Sequence, residues 1–298
     1  MSSKGYRQMN LAGRDISGLT PEEMGLSISE TLDKQIHGMC FSAYLPDQKP
    51  GDIISAEQIS QRMEIIKPFT KWIRTFSCTD GNQDIPKIAR EHGLKTLVGI
   101  WIEGDEEKNR REIENGIRLA VEGYADILAV GNEVMLRGEQ SEESMVEYIR
   151  EVKSRVGDVP VGYVDAYYEF EIRPAITAEV DVILANCYPF WEGVAQEHSL
   201  LYMKDMYHRA QRAAGGKPVI IAETGWPNIG SRSGGAIPSR ENAMQYFIHT
   251  YEWAEQDDVR IFWFSTFDEL WKVDSEGDVG AYWGLWDKNG KPKYAGVS

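Results

Sequence analysis

Two glutamates stand where apolar runs stop. Residues 127–134 read ILAVGNEV and residues 219–227 read VIIAETGWP, so Glu133 and Glu223 each follow a stretch composed like a buried strand. A carboxylate at a strand end can be a solvated loop residue, but placing two charges beside buried strands without a task is expensive. Paired carboxylic acids have a chemistry that single ones lack. One protonates the oxygen leaving an acetal, while the other attacks the anomeric carbon or activates water. Gly131 allows close packing just before Glu133, and Asn132 carries an amide able to orient a hydroxyl. The pair does this work only if the surrounding elements bring both side chains to one place.

Apolar runs rich in Val, Ile, Phe or Trp occupy 36–41, 72–76, 96–101, 127–131, 159–164, 182–187, 218–222 and 260–266. Short continuous runs of this kind are typical of parallel strands buried under helices. Helical patterns lie between them at 56–66, 84–91, 106–122, 141–156, 170–178, 200–214 and 239–254. Ser55 and Ser141 are suited to cap two of these helices, and Glu142 and Glu143 suit the positive end of the second. Strand and helix alternating through eight strands is the pattern of an α/β protein with a single (β/α)8 TIM barrel. A doubly wound sheet also alternates, but no Gly-x-Gly-x-x-Gly follows an early strand and there is no phosphate-binding loop. The catalytic barrel is expected over 36–298. Residues 1–35 are expected to form an irregular N-terminal arm with a few turns, a candidate to close the bottom of the barrel.

The carboxyl ends of all barrel strands open onto one face. That rule gathers Arg74 from the second strand, Trp101 from the third, and Asn132 with Glu133 from the fourth. The fifth contributes Asp165, Tyr167 and Tyr168, and the sixth Tyr188 and Trp191. Glu223 and Trp226 come from the seventh, and Glu269, Trp271 and Lys272 from the eighth, with Trp283 and Trp286 on the closing segment. The fourth and seventh strands are far enough around the ring for Glu133 and Glu223 to face each other across the mouth. Arg74 emerges from an apolar run, so it needs a carboxylate partner, and Glu223 is the expected one. Tyr188 is placed to donate a hydrogen bond to the same group. Carboxylates among aromatics suit neutral sugar rings, whose C–H faces stack on indoles while their hydroxyls take polar partners. Trp101, Trp191 and Trp226 are the expected platforms.

Composition points the same way. The 298 residues include 47 acidic and 32 basic side chains, for a net charge of −15. Such a chain is a poor partner for nucleic acid or an anionic membrane, whereas a neutral ligand is not penalised. No apolar run has the length of a membrane span. The histidines lack ligand spacing and the cysteines lack zinc or disulfide spacing, so no metal and no cofactor are expected. Cys40, Cys78 and Cys187 are expected to be buried free thiols, and Arg110, Arg111, Arg209 and Arg212 to lie on solvated helix faces. A monomer is expected. The first residues lack a hydrophobic signal core, which implies a cytoplasmic protein, or a secreted or periplasmic one if a leader has been removed.

In order, the chain carries VGNEV around Glu133, NCYP around Tyr188, AETGWP around Glu223, FDELWK at 267–272 and WGLWDKNGKPKY at 283–294. This set resembles glycoside hydrolase family 17, the β-1,3-glucanases and β-1,3-glucanosyltransglycosylases, among the barrel glycosidases that use two glutamates. The resemblance implies that Glu133 is the general acid/base and Glu223 the nucleophile. It places Asn132 at the sugar 2-hydroxyl, Tyr188 near the nucleophile, Glu269 and Lys272 as a polar pair supporting the site, and Glu276 as a further acidic residue. The implied activity is retaining hydrolysis of a β-1,3-glucan through a covalent glycosyl-enzyme. The alternatives are transfer of the same glycosyl group to another glucan, or a non-catalytic glucan-binding barrel. Three stretches depart from the plant-like pattern: GMCFSAY after the first strand begins, Arg74-Thr75-Phe76 on the second, and Gly99-Ile100-Trp101 on the third. The short loops imply that the extra subdomain of some members is reduced.

Overall fold

Strands made of valine, isoleucine and leucine need cover on both faces, and a closed barrel inside a ring of helices provides it. The computed structural model describes residues 13–294. Within them eight strands pair in chain order, all parallel: β1 (Ile36–Cys40), β2 (Thr70–Arg74), β3 (Lys95–Ile100), β4 (Ile127–Asn132), β5 (Val161–Ala166), β6 (Val182–Asn186), β7 (Val219–Thr224) and β8 (Ile261–Trp263). Strand β8 returns to β1 through Gly38 opposite Phe262 and Met39 opposite Trp263. Every residue of β6 and β7 is buried. The fold is the (β/α)8 TIM barrel expected from the alternation of runs.

The outer layer contains α1 (Pro21–Asp33), α2 (Ala56–Ile66), α3 (Ile85–Glu91), α4 (Glu106–Val121), α5 (Val134–Arg137), α6 (Glu142–Arg155), α7 (Glu169–Ile172), α8 (Pro174–Glu179), α9 (Gln196–Ala214) and α10 (Arg240–Asp257). Side-chain oxygens of Ser55, Ser141 and Ser239 accept from the backbone N–H of Gln58, Ser144 and Asn242, which caps three of these helices. The weak pattern at 170–178 resolves into α7 and α8, separated at Pro174, whose ring ends one helix and starts the next.

The expectation of an irregular arm fails over Pro21–Asp33. Thr20 and Glu23 form a reciprocal capping box, Pro21 occupies the first turn, and α1 buries Met24, Ile28 and Leu32. This helix packs against α10, the helix between β7 and β8. Among the described residues, β8 is followed only by 3-10 turns and the four-residue helix α11 (Val273–Glu276). Helix α1 therefore takes the ring position that an eighth crossover helix would fill. Residues 1–12 of the expected arm and 295–298 of the expected barrel lie outside the described residues.

The ladders break step where the two glutamates emerge. Pairing of β4 with β5 shifts between Ala129 and Asn132, and that of β6 with β7 between Ala185 and Asn186. Such irregularities re-aim side chains at a barrel rim.

Candidate active site

Glu223 closes the apolar run of β7 and is buried. Both of its oxygens accept hydrogen bonds. Arg74 Nη1 donates to Oε1 at 2.5 Å and Tyr188 Oη donates to Oε2 at 2.8 Å. Arg74 reaches Glu223 from inside the barrel, lies 1 % exposed, and donates through Nη2 to Asn132 Oδ1 at 2.6 Å. Burial opposes its charge most strongly, but Glu223 and Cys40 together hold the guanidinium above its ordinary value. Burial and then Glu223 also push the Tyr188 phenol well up, so the hydroxyl remains a donor.

Glu133 sits one residue past β4 in a left-handed conformation, with φ 53° and ψ 31°. Gly131, with φ 87°, makes the approach to this turn, and a Cβ there would lie 2.8 Å from Val134 Cγ2. Asn186, the last residue of β6, donates through Nδ2 to Glu133 Oε1 at 2.8 Å. No arginine or lysine pairs with Glu133 among the described residues. Burial and the nearby Glu223 push its carboxyl up to about 7, against the opposing effect of Asn186. Two glutamates of one cavity thus have opposite surroundings: one is held by a cation and a phenol, the other faces a like charge.

The cavity holding them measures about 440 Å³. Tyr167, Tyr168, Tyr188, Trp191 and Phe264 form its aromatic walls, and Glu192 and Glu276 add acidic groups. Burial pushes Glu276 up to about 6, with Lys272 opposing. Lys272 and Glu269 form a buried pair at 2.9 Å, and the ammonium lies 3.8 Å from the centre of the Phe264 ring. They therefore stand behind the cavity wall.

The structure joins Glu223, Arg74, Asn132 and Tyr188 in one hydrogen-bonded group, places Glu133 in the same cavity with Asn186 as its own hydrogen-bond partner, and sorts the tryptophans. Trp191 is 44 % exposed, lines the cavity, and is braced from below by Trp283 at 5.4 Å between ring centres. Trp226, expected as a sugar platform, is not one. It is 1 % exposed, its N–H donates inward to Ile237 O at 3.0 Å, and its ring packs between Phe190 and Tyr246. An indole with its N–H satisfied and both sides covered is core. Trp101 is half-buried beneath the Arg137 guanidinium at 4.5 Å and lies outside the residues lining this cavity. Trp283 and Trp286 are buried as well. Asn186 is the residue that sequence reasoning missed. Its signal was the one Asn132 gave, a carboxamide ending an apolar strand run. Cys40, Cys78 and Cys187 are buried free thiols. No group of three or more His, Cys, Asp or Glu side chains among the described residues is arranged to hold a metal ion, and no helix among them is long and apolar enough to cross a membrane.

Comparison with known proteins shows the family. The pattern of the BtgE/BtgC glycoside hydrolase domain matches residues 38–284. A glucan 1,3-beta-glucosidase of Candida albicans is 27 % identical over 259 residues, covering 78 % of this chain and 84 % of that protein. A glucan 1,3-beta-glucosidase of Arthroderma benhamiae is 29 % identical over 252 residues, covering 78 % and 81 %. Among solved structures, a glycoside hydrolase family 17 beta-1,3-glucanosyltransferase from Rhizomucor miehei superposes with a TM-score of 0.79 at 26 % identity, covering 88 % of this chain and 96 % of that one. The chain belongs to the BtgE/BtgC family of glycoside hydrolases, within the family 17 group that its ordered motifs resemble.

Proposed function

We propose that the protein cleaves β-1,3-glucan with retention of anomeric configuration, using Glu223 as nucleophile and Glu133 as general acid/base. The observation that carries this reading is the contrast between the two carboxyls of one cavity. Glu223 accepts a hydrogen bond on each oxygen, from the Arg74 guanidinium and the Tyr188 hydroxyl. Glu133 is pushed up to about 7, so it carries a proton to give at neutral pH. In the first half of the reaction Glu223 attacks the anomeric carbon and Glu133 protonates the departing oxygen. The leaving sugar goes, and a glycosyl ester on Glu223 remains. The carboxylate of Glu223 is then neutralised by the ester bond, the like-charge repulsion on Glu133 is relieved, and Glu133 can act as base toward water. Neutral β-1,3-glucan as substrate is supported by the uncharged aromatic walls, by the acidic lining, and by relatives named as glucan 1,3-beta-glucosidases. A monomer remains our reading of the quaternary state.

A second reading is favoured by one feature. Trp191 offers an exposed indole at the cavity wall, where an acceptor glucan can stack and compete with water for the glycosyl-enzyme. The Rhizomucor miehei relative is named as a glucanosyltransferase, which supports transfer as part of the activity.

The test is proton NMR of the first product formed from a laminari-oligosaccharide. A β anomer is expected. An initial α anomer removes the nucleophile role from Glu223. Products longer than the starting oligosaccharide establish transfer, and shorter ones alone establish hydrolysis.

A further inference from the structure

Few non-glycine residues hold a left-handed backbone, and Glu133 does so at the point where its side chain must be aimed. Tyr163 of β5 touches both ends of that turn. Its ring lies against Gly131, where a Cβ would stand 3.3 Å from Tyr163 Cε2. Its hydroxyl accepts from the backbone N–H of Met135 at 2.9 Å. The same hydroxyl donates to Asp165 Oδ2, two residues along and on the same face of the strand. Asp165 Oδ1 accepts from Ala166 N at 2.8 Å. Tyr163 and Asp165 are both buried, and the carboxylate is held by a phenol and backbone amides rather than by a cation. A buried carboxylate in such a setting is costly, and the reaction described above gives it no part.

We propose that Tyr163 and Asp165 are positioning residues for Glu133: Tyr163 clamps its left-handed turn from both sides, and Asp165 orients the tyrosine hydroxyl and opposes a further negative charge at Glu133. This inference rests on Glu133 being the acid/base group. Glu133 is also faced by Glu223 of β7, Arg74 of β2, Asn186 of β6, and the phenols of Tyr168 and Tyr188. Asp165 is faced by Glu169 of α7, which Arg173 engages at 3.2 Å. Burial and Glu223 act on Glu133 more strongly than Asp165 does, so the effect of Asp165 is a modest adjustment.

The experiment compares kcat/KM, which reports formation of the glycosyl-enzyme, on two substrates. One is a laminari-oligosaccharide, whose leaving group needs a proton. The other is a 2,4-dinitrophenyl β-glucoside, whose leaving group does not. Rates are expressed per active site, counted by trapping with a 2-deoxy-2-fluoro glucosyl fluoride, so only folded enzyme contributes. Tyr163→Phe is expected to lose roughly tenfold to a hundredfold on the oligosaccharide and less than about threefold on the dinitrophenyl substrate. Asp165→Asn is expected to move the basic limb of the oligosaccharide pH profile down by roughly half a unit, because a neighbouring negative charge is gone. Equal losses of Tyr163→Phe on both substrates, or no loss, overturn the proposal, as does an unmoved basic limb in Asp165→Asn. Glu133→Ala separates the two levels. If it lacks the leaving-group selectivity, the acid/base assignment itself fails. If it shows that selectivity and Tyr163→Phe does not, only the positioning role fails.

Discussion

Arg74 Nη1 lies 2.5 Å from Glu223 Oε1 across the interior of the barrel, with both side chains almost wholly out of water. The second guanidinium nitrogen holds Asn132, the neighbour of Glu133. One planar fork therefore ties together the strand ends that carry both carboxyls. Removing it leaves a buried, unpaired carboxylate. Arg74→Leu is expected to destabilise the fold by about 3–5 kcal/mol and to lower kcat by roughly a hundredfold to a thousandfold. Arg74→Lys should recover little of the rate, because one ammonium cannot span Glu223 and Asn132 together. Denaturant unfolding and steady-state kinetics of the two variants check this.

The free-enzyme pH profile should have its basic limb near 7, where Glu133 loses its proton. The same shift has a stability consequence of defined sign. Glu133 ionises at an ordinary value of 4.5 when unfolded and at about 7 when folded. Its contribution is therefore fully present below 4.5 and is lost as pH rises through 7. Glu133→Gln should raise Tm by about 1–3 °C at pH 8 and change it little at pH 5. A gap in Tm that shrinks between pH 5 and pH 8 contradicts the assignment.

Asn186 should tune the same limb in the opposite direction to Asp165. Its amide donates to Glu133 and favours the ionised form. Asn186→Ala should move the basic limb to higher pH and lower kcat by about tenfold through looser aiming of the acid. A downward movement of the limb rejects this role.

Trp191 and Trp226 should separate function from stability. Trp191→Ala removes an exposed stacking face, for which about 1 kcal/mol, roughly fivefold in KM, is expected. Its Tm should stay within about 1 °C of wild type. Trp226→Ala empties part of an aromatic core and should cost about 3–5 kcal/mol. A change in KM without loss of stability in Trp226→Ala contradicts its placement as core.

The barrel was legible because its strands are continuous apolar runs with polar residues at one end, a pattern independent of tertiary contacts. Glu133 and Glu223 followed from the same rule, as did the reach of Arg74. The rule fails where direction matters. Trp191 and Trp226 both lie just past a strand end, yet one indole turns to the cavity and the other into the aromatic layer between β7 and α10. Strand counting sets position along the chain and leaves side-chain direction open. Helix α1 was missed for another reason. Thr20, Pro21 and Glu23 spell a helix start, and Met24, Ile28 and Leu32 recur at helical spacing, but the run precedes the first strand and so falls outside the strand-helix alternation. Asn186 went unremarked because a lone carboxamide has no chemistry until it has a partner.

Helix α1 has a consequence for biosynthesis. Its partner α10 is made roughly two hundred residues later. As the nascent chain grows, Met24, Ile28 and Leu32, on the buried side of α1, leave the ribosome long before α10 exists. The ring cannot shut progressively from one end, since its seam joins an early helix to a late one. Release of the finished seam should be the last cooperative step, and a chain stalled before α10 is complete should present an apolar helix face to whatever chaperone is nearest.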